Sequence, residues 1–352
     1  MGVKLIAWIV LGVAGIVAAG IIVILGLALA HRRPPKVLSL RVEGCGNASK
    51  WPAQLKLMTW NLGYAGMGAE ADFFLDGGRS VLAKDRPTVL THVASFINVL
   101  EQHPQDIYLL QEVDAPSRKS YYVDEFGAIT GALSGYWYSA ALNFNVWFLP
   151  YPFTRPIGRV RSGLLSLGKY RLAEAARYQL PGSFPWPVSA FHLERCALLW
   201  RLPREDGKEW VVINVHLEAW DAGGSLRRKE LAFLRDLAVA EYQRGSYVIV
   251  GGDWNATLPG VRPDRFPSER KADRYAVAMP PGLFPSGWSW GVDAARPSNR
   301  SAEAPYHPGK NYLTVIDGFL VSPNAQVVSV ETLPLGFRDS DHEPVLVEVV
   351  SR

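Results

Sequence analysis

Near the C-terminus, the stretch Gly336-Phe337-Arg338-Asp339-Ser340-Asp341-His342-Glu343-Pro344 sets a carboxylate beside an imidazole, just ahead of an alternating apolar run over residues 345–350. Asp341 could ligate a hard cation, and His342 could take or give a proton near neutral pH. Alone, such a pair is an ordinary solvated loop. Four more polar clusters close apolar runs in the same way: Asn61, Glu112, His216, and Asp253 with Asn255. Asp317 lies within a further run, residues 315–320. Rigid strands aim side chains together where they end, while the loops stay free to vary. These positions offer amides, carboxylates and imidazoles, with no serine or cysteine nucleophile among them. That set points to metal-assisted hydrolysis of a phosphoester.

The elements that must hold these residues follow from periodicity. Residues 55–60 alternate as a strand ending on Asn61, and residues 106–112 read as a short buried strand closing on Glu112. Further strands are expected near 163–167, 192–201, 210–215, 247–252, 314–321, 326–333 and 345–350. Val89, Leu90, Val93, Phe96, Ile97 and Leu100 recur at helical spacing, so about 87–103 forms an amphipathic helix. Leu226, Phe233, Leu234, Leu237 and Tyr242 mark a second over 225–243. The aromatic stretches 136–138 and 147–153 read as core and loop packing. The Pro-, Gly- and Arg-rich segment 258–311 is expected to be a long loop, of the kind that is usually functional or disordered.

Of the 352 residues, 48% are hydrophobic and 20% charged, which excludes a disordered chain. The net charge of +4 suits a phosphate-bearing substrate, and no basic array interleaved with aromatics marks a nucleic-acid groove. Cys45 and Cys196 have no partner at zinc-ligand spacing, which argues against a cysteine metal site. Residues 5–30 are uncharged and apolar, about 39 Å as a helix, enough to cross a bilayer. Ala28-Leu29-Ala30 resembles a signal-peptidase site, but the apolar run is too long for a signal peptide and Arg32-Arg33 follows at once. A retained single-pass anchor (residues 1–33) is therefore expected, followed by a linker (34–53) and one catalytic domain (54–352). Lys4 before the helix and Arg32, Arg33 and Lys36 after it lean weakly toward a cytoplasmic domain and do not fix the side. The linker, fully extended, would reach about 70 Å.

Seven motifs in order carry a resemblance. They are Thr59-Trp60-Asn61, Leu110-Gln111-Glu112-Val113, Ser162-Gly163-Leu164-Leu165-Ser166-Leu167, Asn214-Val215-His216-Leu217, Gly252-Asp253-Trp254-Asn255, Ile316-Asp317-Gly318-Phe319 and Ser340-Asp341-His342-Glu343-Pro344. With them the chain resembles the endonuclease/exonuclease/phosphatase superfamily, the deoxyribonuclease I-like fold. The resemblance implies an α/β (α+β) four-layer sandwich, two mixed sheets face to face with helices outside, here preceded by one transmembrane helix. It implies that Glu112, Asn61 and Asp341 hold Mg²⁺, with Mn²⁺ as the alternative. It also implies that His342, oriented by Asp317, is the base or electrostatic partner at the attacking water. Asp253 is then the rival base, Asn255 positions water or phosphate, and His216 stabilises the transition state.

Three local motifs further resemble a membrane-anchored bacterial subgroup: residues 72–78, residues 150–153 with 156–158, and Pro297-Ser298-Asn299-Arg300. Arg300, Lys310 and Tyr312 are candidates to contact the non-reacting part of the substrate, with loop-structural roles as the alternative. The expected function is a membrane-tethered, metal-dependent phosphoester hydrolase, with a lipid or small phosphodiester slightly favoured as substrate. A nuclease acting on DNA or RNA is the alternative, and a catalytically inactive membrane adaptor is the alternative of another class. The expected partners are the phosphoester and the membrane at residues 5–30, with no protein partner implied.

Overall fold

The computed structural model describes residues 2–31, 33–47, 49–262, 264–271 and 276–352; Arg32 of the basic flank lies outside them. Two seven-stranded sheets stack face to face. The first runs in the order Val37–Ser39, Glu174–Gln179, Cys196–Pro203, Glu209–His216, Tyr247–Asp253, Asp317–Val321, Ser289–Gly291. The second runs Ala325–Thr332, Val345–Ser351, Gln54–Asn61, Ile107–Asp114, Gly158–Gly168, Trp137–Leu149, Glu43–Gly44. Both mix parallel and antiparallel pairs.

Period-two alternation explains the layering. In the Gln54–Asn61 strand, Leu55 and Leu57 face the other sheet and meet a core that includes Trp200, Val212, Ile249 and Phe319. Met58 and Trp60 face outward, under Val89, Val93, Phe96 and Leu100 of the helix Arg86–Gln102. Asp85 caps that helix by accepting the Thr88 N–H at 2.8 Å, and Pro87 starts it where no backbone donor is needed. On the first sheet, Val211, Ile213, Val248 and Val250 face the helix Ser225–Gln243 through Leu231, Leu234 and Ala238. The result is the helix–sheet–sheet–helix order expected from the sequence.

Three features differ from the sequence reading. The aromatic stretches 136–138 and 147–153 supply the two ends of a 13-residue strand, Trp137–Leu149, paired along Gly158–Gly168. The 258–311 segment contributes an edge strand, Ser289–Gly291, and the pair Asn299–Arg300 with Leu313–Thr314. The segment read as a linker joins both sheets: Val37–Ser39 pairs with Glu174–Gln179, and Glu43–Gly44 with the start of Trp137–Leu149. The apolar helix Gly2–Ala30 precedes it, long and apolar enough to span a bilayer, and only its last turns touch the domain.

Candidate active site

Three adjoining strands of the first sheet set His216, Asp253 and Asp317 in one row, with Asp253 the Cα partner of both others. Gly252 fixes the approach to Asp253: its φ is +147°, and a Cβ there would stand 2.0 Å from the Val215 carbonyl oxygen, so only glycine fits. The opposite sheet delivers Asn61 at a strand end and Glu112 within the irregular step between Leu110 and Val113. Glu112 holds φ +51°, a bulged conformation that aims its side chain into the cleft between the sheets.

Asp253 is the hub. Its Oδ2 accepts from Asn61 Nδ2 at 3.0 Å and Asn255 Nδ2 at 3.3 Å, and its Oδ1 accepts the Asn255 N–H at 2.8 Å. The same Oδ2 lies 3.5 Å from His216 Nε2 and 3.8 Å from His342 Nε2. Burial pushes the Asp253 carboxyl up to about 7, against the attraction of His342. His342 is gripped from its other nitrogen, with Nδ1 2.8 Å from Asp317 Oδ2, which also accepts from the Ser298 hydroxyl at 2.7 Å. Burial works to lower this imidazole, but Asp317 and Asp253 override it and raise it to about 10. Asn299 Nδ2, 3.0 Å from His342 Nε2, can donate to the neutral ring; with its amide turned over, its oxygen accepts from the charged ring. His216 differs. Burial, then the charges of Arg195 and His342, hold it well below the usual imidazole range, leaving a neutral ring.

Glu112 and Asp341 form the facing wall. Glu112 Oε1 accepts from Asn61 Nδ2 at 3.4 Å and stands 3.8 Å from His216 Nε2. Asp341 lies against Gly63, where a Cβ would come within 3.0 Å of Oδ1. Burial raises the Asp341 carboxyl, and the Glu112 charge adds to the rise against His342 and Arg300. Two carboxylates that repel each other beside the Asn61 amide make an oxygen-rich donor set suited to a hard divalent ion. Asp253, Asp317 and His342 are packed more tightly, with ligand atoms within 4.8 Å of one another. There Asp317 Oδ2 is committed to His342 and Ser298, so this trio is better built to hold a proton than a cation.

Hydrogen bonds fasten the frame. Ser340 Oγ donates to the Asn61 carbonyl at 2.8 Å and accepts the His342 N–H at 3.1 Å, while Trp60 Nε1 donates to the His342 carbonyl at 2.9 Å. Behind them Gln111 Nε2 donates to Asn214 Oδ1 at 2.8 Å and to Thr59 Oγ1 at 3.0 Å, joining the two sheets through the core.

The sequence model of the Endonuclease/Exonuclease/phosphatase family matches residues 58–342. The chain belongs to this family. Its members are phosphoester hydrolases. No curated protein matches the chain by sequence. Among solved structures, an endonuclease/exonuclease/phosphatase from Beutenbergia cavernae DSM 12333 is similar at TM-score 0.58 and 17% identity, over 85% of this chain and 72% of that one. TDP2 from D. rerio, complexed with a single-strand DNA product, is similar at TM-score 0.54 and 12% identity, over 85% and 100%. ANGEL2, a 2',3'-cyclic phosphatase, is similar at TM-score 0.52 and 14% identity, over 89% and 98%.

In this member of the family the cleft has a volume of about 870 Å³, and its polar end is lined by Asn61, Glu112, His216, Asp253, Asp341 and His342, with Asn255 beside them. Of the three candidate substrate contacts, Tyr312 lines the cleft and Lys310 is exposed away from it. Arg300 is buried and borders the cleft, but its guanidinium donates to the carbonyls of Gly68 at 2.5 Å, Met67 at 3.4 Å and Ser301 at 3.1 Å, pinning the loop after Asn61.

Sequence reasoning missed Lys119, Asn143 and Arg195, all buried and all bordering the cleft. Lys119 Nζ pairs with Asp114 at 3.3 Å and stacks 3.8 Å over the Tyr64 ring. Asn143 Nδ2 and Arg195 Nη1 have no hydrogen-bond partner among the described residues. Ser298 and Asn299 were missed too, although both sit in the Pro297–Arg300 motif. An arginine immediately before the fully apolar run 196–200 was the signal available for Arg195.

Proposed function

We propose that the protein is a divalent-metal-dependent phosphoester hydrolase, anchored in a membrane by residues 5–30, acting on a lipid-borne or small phosphodiester. The supporting observation is Asp253 Oδ2, reached by Asn61, Asn255, His216 and His342 beside the Glu112–Asp341 wall. Glu112, Asn61 and Asp341 would hold Mg²⁺ or Mn²⁺, which when bound supplies Lewis-acid polarisation of a phosphoryl oxygen.

The chain's own residues do the rest. Asn255 and Asp253 hold a water in line with the phosphorus, and Asp253, with its carboxyl near 7, takes the proton as the O–P bond forms. His342, kept charged by Asp317, and His216, as a neutral donor, hydrogen-bond to phosphoryl oxygens where charge accumulates. The departing alkoxide is protonated from solvent. Lys119 and Arg195 lend the cleft positive charge at the phosphate.

TDP2, solved with a single-strand DNA product, supports the nuclease alternative by fold alone. The apolar wall of this cleft favours a lipid. The test is turnover of bis(p-nitrophenyl) phosphate, DNA, RNA, sphingomyelin and phosphoinositides by the full-length protein in detergent. Hydrolysis that appears with Mg²⁺ or Mn²⁺ and vanishes with EDTA is expected. Metal-independent turnover, or none with any ester, would overturn the proposal.

A further inference from the structure

Away from the catalytic groups one wall of the cleft is apolar, while Asp76, Arg270, Lys271 and Glu303 line other parts of it. Aromatic rings line the apolar wall in an unbroken series from Trp220, four residues beyond His216, to Phe153 at the rim. Trp220–Phe73, Phe73–Phe74, Phe74–Tyr151 and Tyr151–Phe153 have ring-centroid separations of 6.3, 5.1, 5.9 and 6.2 Å. The series ends at exposed apolar residues that line the cleft: Phe153 is 75% exposed, Val188 53% and Tyr151 51%. Soluble proteins seldom gather large apolar side chains at one rim without a partner to cover them.

The N-terminal helix marks what covers it. Ile24 lines the same cleft together with residues of the 150–157 and 187–193 segments, and its helix packs against the turn Val188–Phe191. His31 Nε2 lies 3.1 Å from Glu194 Oε1, and Arg33 Nη2 donates to Ser189 Oγ at 3.2 Å, so the helix end is fastened to that rim. Residues 5–24 make a helix of about 30 Å, the thickness of a hydrocarbon core, and the remaining turns to Ala30 carry about 9 Å more. The excess is the part that docks on the domain. Ile24 therefore lies at the level where hydrocarbon meets headgroups, and the exposed aromatics lie beside it, where tryptophan and tyrosine partition best.

Resting on the hydrolase and anchor readings above, we propose that the apolar wall of the cleft is the chain-binding subsite for a membrane phospholipid. The lipid enters sideways from the leaflet, between Ile24 and the rim carrying Phe153 and Val188. Its phosphate moves to the polar end while at least one acyl chain lies along the Trp220–Phe153 wall.

Two measurements on the full-length protein test this. The first is a series of p-nitrophenyl alkyl phosphates with methyl to octyl chains, assayed in detergent. A chain laid in the subsite raises kcat/KM about fourfold per methylene. Phe74→Ser with Val188→Ser should flatten that slope at least twofold per methylene while both variants still cleave the methyl ester. Cleavage of the methyl ester with no dependence on chain length overturns the subsite while leaving the hydrolase reading standing. No turnover of any ester sinks both.

The second readout does not depend on turnover. Phe153→Cys in a Cys45→Ser background, labelled with a polarity-sensitive fluorophore, is reconstituted into vesicles of phosphatidylethanolamine and phosphatidylglycerol. A blue shift at residue 153 is expected, with none for Glu205→Cys, which lies in the exposed turn ahead of Glu209–His216, the strand that ends on His216. Equal spectra at the two sites, in protein that co-sediments with the vesicles, would overturn the sideways port. Protein that fails to co-sediment overturns the anchor and the port together.

Discussion

Asp317→Asn isolates the pairing that governs His342. The amide keeps the volume of the carboxyl, and its oxygen can occupy the place of Oδ2, still accepting from His342 Nδ1 and from the Ser298 hydroxyl. Ser298 Oγ goes on accepting the N–H groups of residues 316 and 317, both at 3.1 Å, so the local backbone has no reason to move. The charge is lost, and the new amide NH2 takes the place of Oδ1, which has no hydrogen-bond partner among the described residues. A hydrogen bond to an ionised partner is worth about 1.5–3 kcal/mol and a neutral one about 0.5–1.5, so the difference is about 1–2 kcal/mol. If that stabilisation is expressed in the transition state, kcat falls by about 5- to 30-fold with KM little changed. Asp317 is also the first of the charges that lift His342 to about 10, so its removal lets the imidazole titrate closer to the usual value. The alkaline limb of the kcat–pH profile, where the charged ring is lost, should therefore move to lower pH. The assay is kcat and KM for bis(p-nitrophenyl) phosphate from pH 5 to 10, with full-length protein in detergent and saturating Mg²⁺. A wild-type kcat with an unmoved alkaline limb would refute the role of Asp317 in holding His342 charged.

Three other outcomes are expected. Glu112→Gln preserves shape and removes one of the two carboxylates of the proposed metal wall, so Mn²⁺ affinity by calorimetry should fall at least about tenfold; unchanged affinity rejects Glu112 as a ligand. Glu230, buried and accepting the Glu218 N–H at 2.8 Å, is raised by burial to about 8 from an ordinary value near 4.5. The folded state thus binds the extra proton, its contribution is full below about pH 4.5 and is lost as pH rises toward 8, and Glu230→Gln should lessen the fall in Tm over that window. An identical Tm–pH slope in wild type and variant rejects the linkage. Gly252→Ala forces a Cβ to within 2.0 Å of a backbone oxygen at φ +147°, which should cost about 3 kcal/mol or more and lower Tm by roughly 5–10 °C. A wild-type Tm would mean the turn into Asp253 relaxes freely.

Much of this was legible because strands announce themselves by alternation. Leu55 and Leu57 against Met58 and Trp60 encode two buried faces, and the polar residue that breaks the run, Asn61, marks the end where chemistry can sit. Glu112 was legible as an acid closing an apolar run, although its strand continues past it to Asp114 through a bulge that periodicity does not reveal. The strand Trp137–Leu149 was obscured because its inward positions alternate with aromatic and polar residues that a loop would also carry. Val37–Ser39 was hidden for a different reason: a three-residue strand has no period of its own and is defined by a partner at residues 176–178. Asn299 and Ser298 reach His342 and Asp317 through a fold-back of the 258–311 segment, a contact no local pattern contains.

Under the proposed membrane anchor, that short edge strand would also change how the protein meets its substrate. Only residues 31–36 separate the helix from Val37, a reach of about 20 Å at full extension, and contacts at His31 and Arg33 take up even that slack. Without slack in the tether, an enzyme in a bilayer cannot sample the bulk phase, and its encounters become two-dimensional. Its rate would follow the mole fraction of substrate within the leaflet and fall when inert lipid is added at constant total substrate. Dilution with buffer alone would leave it unchanged.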